Sequence, residues 1–123
     1  MVQLTIDGLN LYHYPLAPEE REHLFHRWLE LNQDIAAWME QKALELWERG
    51  KRVSVGYLFE AARYETPFRA TPVPFWDRNE VRHEYSYNNN DRAIFARYLT
   101  ELYPGMPIET RRSMHDKKRE VVA

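Results

Sequence analysis

The residues best equipped for chemistry in this chain are basic and phenolic side chains through its middle: Lys51, Arg52, Tyr57, Arg63, Tyr64, Arg69, Arg78 and Arg82. Guanidinium and ammonium groups suit phosphate oxygens, and tyrosines pack on sugar or stack on bases. Arg63 could address a guanine edge, whereas Glu60 would repel a phosphate backbone unless it met a cytosine amine. Asn88, Asn89 and Asn90 follow Tyr85-Ser86-Tyr87. Amides can bridge adenine edges, but asparagine is also among the best helix caps, so capping is the expected task. His23 and His26 stand three apart with Glu22 and Glu30 nearby, a spacing that could begin a zinc site. The other histidines, His13, His83 and His115, are scattered, so solvated helix histidines and no metal or cofactor are expected. Four glycines provide no phosphate-cradling loop, and neither a nucleophile elbow nor a carboxylate pair stands out, so no catalytic residue is assigned and an enzyme is not expected.

The charge is unevenly divided. Residues 1 to 50 hold four basic and nine acidic side chains, while residues 51 to 123 hold thirteen basic against ten acidic. Such asymmetry can mark a face for an anionic polymer, although nucleic-acid domains are usually more basic. The length of 123 residues and 44% apolar content suit one domain, and the absence of cysteine excludes a disulfide scaffold. No apolar run approaches the roughly 18 residues a membrane span needs, and the first residues lack a signal-peptide pattern. The expectation is a cytoplasmic protein without membrane contact.

The elements that must carry these side chains follow from periodicity and punctuation. Residues 1–17 read as an N-terminal arm or short strand, on the alternation of Leu4, Ile6, Leu9 and Leu11 with polar residues. Pro18 opens a first helix with Leu24, Phe25, Trp28 and Leu31 inward. Asp34 is a candidate cap for a second, with Ile35, Trp38, Met39, Ala43, Leu46 and Trp47 at helical spacing and Gly50 as its stop. Ser54 caps a third, whose Val55, Leu58, Phe59 and Ala62 face inward. Pro67, Pro72 and Pro74 then exclude a helix, and strands about an Asp77-Arg78-Asn79 turn are expected. A fourth helix carries Ile94, Phe95, Tyr98, Leu99 and Leu102 and stops at Pro104-Gly105. Residues 105–123 read as a basic, partly disordered tail. The fold class is mainly α with a small β-hairpin: a winged-helix-like core over residues 18–104, with three helices, a hairpin and a fourth helix.

Two resemblances accompany this pattern. Ile6-Asp7-Gly8-Leu9-Asn10 looks like the start of PIN-like, NYN-type nucleases, in which a strand delivers an aspartate to a metal. Such a site needs several carboxylates on Mg²⁺, and neither a second acidic pair nor a strand–helix alternation is present, so Asp7-Gly8 also reads as a plain turn. More extensively, Gly50-Lys51-Arg52-Val53-Ser54, Leu58-Phe59-Glu60, Arg63-Tyr64-Glu65-Thr66, Asn88-Asn89-Asn90 and Phe95-Ala96-Arg97 resemble, in order, small bacterial and phage or prophage proteins of unassigned activity. That resemblance covers residues 25 to 112 and implies a mobile-element setting; the proline-rich stretch from Thr71 to Arg82 is longer here.

Two functions are therefore expected. The first is a non-enzymatic binding domain that contacts double-stranded DNA through the third helix and hairpin, using the eight residues named at the outset. The alternative is a protein-binding inhibitor or adaptor acting on a host or phage protein. It draws on the acidic set Glu19, Glu20, Glu22, Glu30, Glu40, Glu45 and Glu48 and on four tryptophans and eight tyrosines.

Overall fold

Pro18 begins α1 (Pro18–Leu31), because a first helical position lacks an N–H partner and suits proline's fixed φ. The computed structural model describes residues 3–4 and 10–109. Within the first turn Glu20 folds back, its Oε1 accepting the Ala17 amide at 2.9 Å, which satisfies a donor the helix leaves orphaned. Leu24, Phe25, Trp28 and Leu29 form the buried face. Leu31, expected inward, is exposed at the last position of the helix; Leu29, four residues after Phe25, turns in instead.

Asn32 alone separates α1 from α2 (Gln33–Glu48) and is the N-cap residue of the latter. Asp34, expected in that role, lies inside the first turn, where its charge complements the helix dipole. Ile35, Ala36, Met39 and Ala43 are buried, while Trp38, Leu46 and Trp47 pack partly buried against the core. Gly50 then turns the chain at φ +72°. Ser54 Oγ accepts the Tyr57 amide at 3.1 Å, capping α3 (Val55–Tyr64). Val55, Leu58, Phe59 and Ala62 are buried as their spacing predicts, together with Ala61.

The remaining chain is extended apart from one short 3₁₀ turn, Asn89–Asp91, and α4 (Arg92–Leu102). Asn88 Oδ1 accepts the Asn90 amide at 2.8 Å and so caps the 3₁₀ turn. The N-cap residue of α4 itself is Asp91, which makes no side-chain cap bond, so the asparagine run shapes the approach to α4 and does not cap the helix directly. Phe95 and Leu99 are the buried residues of α4, and Leu102 is exposed.

The protein is mainly helical with a small sheet. The strands are β1 (Gln3–Leu4), β2 (Asn10–Tyr12), β3 (Val53–Ser54), β4 (Val73–Asp77), β5 (Arg82–Tyr85) and β6 (Ile108–Glu109). Four of them form one sheet in the order β1-β2-β4-β5, and β3 pairs with β6 separately. The expected hairpin is β4–β5, antiparallel with Val73 opposite Tyr85. Beside it β2 runs parallel to β4, Leu11 opposite Trp76. β2 and β6 thus tie parts of the expected arm and tail to the central domain, because a buried Tyr12 and an unpaired β3 edge each need a partner.

The core lies where α1, α3 and α4 converge. Phe25, Phe59 and Phe95 form a triangle with ring centroids 6.4, 5.9 and 5.7 Å apart, spacings that favour tilted and edge-on aromatic contact. Among the described residues no helix is long and apolar enough to cross a membrane.

Candidate interaction face and adjoining cavity

Burying one side of α3 forces Tyr57, Glu60, Arg63 and Tyr64 to its outer side. Tyr57 is 44% and Tyr64 81% exposed. Arg63 Nη1 donates to Glu60 Oε1 at 2.9 Å, and its guanidinium lies 5.3 Å from the centre of the Tyr87 ring. The loop that follows adds exposed Phe68 and Arg69 to the same end of the helix.

That loop is held from beneath by Asn32. The Asn32 side-chain amide donates to Thr71 O at 2.9 Å and to Trp28 O at 2.8 Å, while its oxygen accepts the Thr71 amide at 2.6 Å. Nothing in the sequence marked Asn32 for this task beyond its place between two helices.

Between the loop and the body is a cavity of about 350 Å³. Its walls include Trp28, Phe68 and Tyr87, with Arg63, Arg69 and Ser86 supplying polar groups. Trp28 and Tyr87 meet edge to face, centroids 4.9 Å apart and planes at 84°. The Tyr87 hydroxyl donates to Phe59 O at 3.0 Å. Burial raises its pKa, and the Arg63 charge offsets part of that rise. Trp28 is fully buried, yet its Nε1 is the one buried side-chain polar atom among the described residues without a hydrogen-bond partner. The spacing of α1 predicts Trp28 inward, but the cavity is not legible in the sequence, because its walls come from segments far apart in the chain.

No family model, curated protein or solved structure matches this chain.

The eight residues singled out for nucleic-acid contact fall into three places. Tyr57, Arg63, Tyr64 and Arg69 share the face just described. Lys51 and Arg52 precede β3 at the N-terminal end of α3, a helix about 15 Å long. Arg78 lies at the β4–β5 turn, and Arg82 on β5 is paired with Glu84 at 3.2 Å. Residues 51 to 109 hold eight basic and eight acidic side chains, so the positive excess of the second part of the sequence belongs to residues 110–123, outside the described region.

Three of the seven residues of the acidic set are engaged in internal bonds. Glu20 is buried and also accepts the His13 amide at 3.0 Å. Glu40 accepts the hydroxyls of Tyr98 and Tyr103, each at 3.0 Å, and Glu22 accepts from Arg97 at 2.6 Å. His23 packs near the Tyr12 ring and His26 lies 4.0 Å from Glu22. Asp7 and the segment resembling nuclease starts lie outside the described residues.

A further pair escaped sequence reading. His83 Nε2 and Asp77 Oδ2 are 2.8 Å apart, with the His83 ring stacked on Tyr14 at 3.9 Å. Asp77 also accepts the Asn79 and Val81 amides at 2.8 and 3.0 Å, so the pair shapes the hairpin turn. The turn itself was legible from Asp77-Arg78-Asn79.

Proposed function

We propose that this chain is a small non-enzymatic protein-binding module, an inhibitor or adaptor in a phage or other mobile-element setting, whose docking face is the outer side of α3 with its following loop. One observation carries the reading: Tyr57, Tyr64 and Phe68 are exposed together with Arg63 and Arg69 on one helix and the loop it feeds. Tyrosine and arginine are the residue types that dominate interface hot spots. Aromatic side chains left exposed on one helix and its following loop mark a surface that a partner can cover. The near balance of charge over residues 51 to 109 favours a protein surface over a polyanion.

The test is affinity capture from nuclease-treated extract of the encoding organism and its phage, with the intact protein and with a Tyr57→Ala/Tyr64→Ala double variant. A protein retained by the former and reduced at least about tenfold with the latter is expected, since hot-spot truncations cost 2 kcal/mol or more. Identical capture by both, or retention that vanishes with nuclease, overturns the reading.

Duplex DNA is the second reading, in which the helix order and hairpin act as a winged helix. It is favoured by Lys51, Arg52, Arg69 and Arg78, which have no carboxylate partner among the described residues. Four phosphate contacts would give a log affinity against log salt slope of about −3 to −4. Absence of a shifted random duplex at low salt removes it.

A further inference from the structure

We propose that the free edge of β5 is a pairing surface for a second copy of this chain, joined antiparallel about His83 so that the sheets of two molecules run into one. It lies on a different element from the docking face on α3 and does not depend on that reading.

The first observation is which backbone groups point off the sheet. β5 ends the order β1-β2-β4-β5 and so has a sheet neighbour on one side. Antiparallel ladders alternate hydrogen-bonded with non-bonded pairs. Asp77 N donates to Val81 O at 3.0 Å, which makes that pair a bonded one. Alternation from it makes Phe75 with His83 and Val73 with Tyr85 bonded pairs, whereas Trp76 with Arg82 and Pro74 with Glu84 are not. Pro74 suits such a place, since it has no N–H to give Glu84. The amides and carbonyls of Arg82 and Glu84 therefore face away from β4, and among the described residues no other hydrogen bond reaches them. An open row of this kind templates another strand unless it is blunted, and β5 contains no proline.

The second observation is charge, which selects the occupant. Arg82 and Glu84 project from one face of the strand, each side chain 54% exposed, and meet at 3.2 Å. Charges of one sign on an edge repel a neighbouring strand, but these two are opposite. In an antiparallel copy centred on His83, Arg82 stands opposite Glu84 of the second copy, and Glu84 opposite its Arg82. Both members of each pair present outward N–H and C=O groups, so each pair exchanges both of its backbone bonds. Cross-strand pairs of opposite charge stabilise a sheet. Sliding the copy by two residues sets Arg82 against Arg82 or Glu84 against Glu84, and sliding it by one turns the bonding groups away. A strand from another protein would have to match both sign order and spacing, which a second copy does by two-fold symmetry.

The neighbouring residues fit the same register. Val81, 51% exposed, directly precedes the strand and comes to lie beside the end of β5 in the second copy, so pairing removes apolar surface from water. His83 falls at the two-fold centre with its side chain on the other face, where Asp77 and Tyr14 of its own chain hold the ring.

The experiment is sedimentation of the full chain from about 10 μM to about 1 mM, because one short strand buries less than a standard interface and pairs weakly. Arg82→Glu and Glu84→Arg are made singly and together, with thermal unfolding as the check on folding. The unaltered chain should dimerise with rising concentration, and each single variant should do so at least about tenfold more weakly, because like charges then face each other. An equimolar mixture of the two single variants should associate, since each matches the other, and the Arg82→Glu/Glu84→Arg double variant should recover self-association. The mixture and the double variant keep the test decisive even where one single variant is less stable. A chain monomeric at about 1 mM overturns the proposal and leaves the edge to solvent or to a strand of another protein. Dimerisation undiminished in both single variants places the contact elsewhere and overturns it as well, as does a mixture that associates no better than its components. The protein-capture test changes Tyr57 and Tyr64, neither of them on β5, so the two readings can fail separately.

Discussion

Arg21 and Asp91, seventy positions apart, meet at 2.8 Å between Nη2 and Oδ1 with the Asp91 carboxylate fully buried. The other carboxylate oxygen accepts the Tyr85 hydroxyl at 2.7 Å and the Asn88 amide at 3.0 Å. One carboxylate therefore joins α1, β5 and the entry to α4. Removing it as Asp91→Ala leaves a cation, a hydroxyl and an amide with unmet donors, for an expected loss of about 3–5 kcal/mol. Tyr85→Phe removes one bond and should cost about 1–2 kcal/mol. Urea unfolding of the three proteins measures both; equal losses for the two variants would show that Arg21 contributes nothing through Asp91.

Asn32 is the second junction, since its side chain makes three hydrogen bonds to backbone groups of Trp28 and Thr71. Asn32→Ala strands those groups at an expected cost of about 1–3 kcal/mol. It should also speed amide exchange in residues 65–72 before global unfolding does so. Uniform acceleration across the chain would mean that the loop is not separately anchored.

Acid should weaken the fold through two carboxylates. The hydrogen bond from the His83 ring, followed by the Val81 amide, holds Asp77 below its ordinary pKa. Burial pushes Glu20 upward, but the Ala17 and His13 amides and the His13 ring outweigh it, leaving this group lowered too. A folded-state pKa below the unfolded one favours the ionised form on folding. The contribution is complete above the unfolded value of about 4 and fades as pH falls through the folded one. Unfolding free energy should decline with acid below about pH 4, and Asp77→Asn should show a shallower decline. Identical pH profiles for the two proteins would refute the assignment.

Two left-handed residues make opposite predictions. Gly50 has φ +72° with open space around the place a Cβ would occupy, so Gly50→Ala meets only backbone strain, about 1–2 kcal/mol. Glu80 has φ +61° without being glycine. Glu80→Gly relieves strain of similar kind and should stabilise the hairpin by roughly 0.5–1 kcal/mol, after the extra entropy of the unfolded chain. Thermal unfolding of the pair should move in opposite directions.

The sequence by itself determined the helices and their punctuation. Pro18, Gly50, Ser54 and Asn88 act on backbone groups within a few residues, and the three-and-four spacing of apolar side chains needs no knowledge of a partner. Which leucine of α1 turns inward could not be read so locally: Leu29 and Leu31 differ in what lies opposite them, not in type. Charge is less local still. Arg63 and Arg82 read in the sequence as cations for base or phosphate contact, yet each has found a carboxylate, and Arg97 has found one 75 positions away. Only the tertiary structure decided these pairings, the parallel seat of β2 against β4, and the cavity whose walls arrive from α1, α3, the proline-rich loop and the residues after β5. The physical reason is that capping and periodicity are settled within a turn or two of chain, whereas ion pairs, strand partners and enclosed space depend on which segments the burial of Phe25, Phe59 and Phe95 draws together.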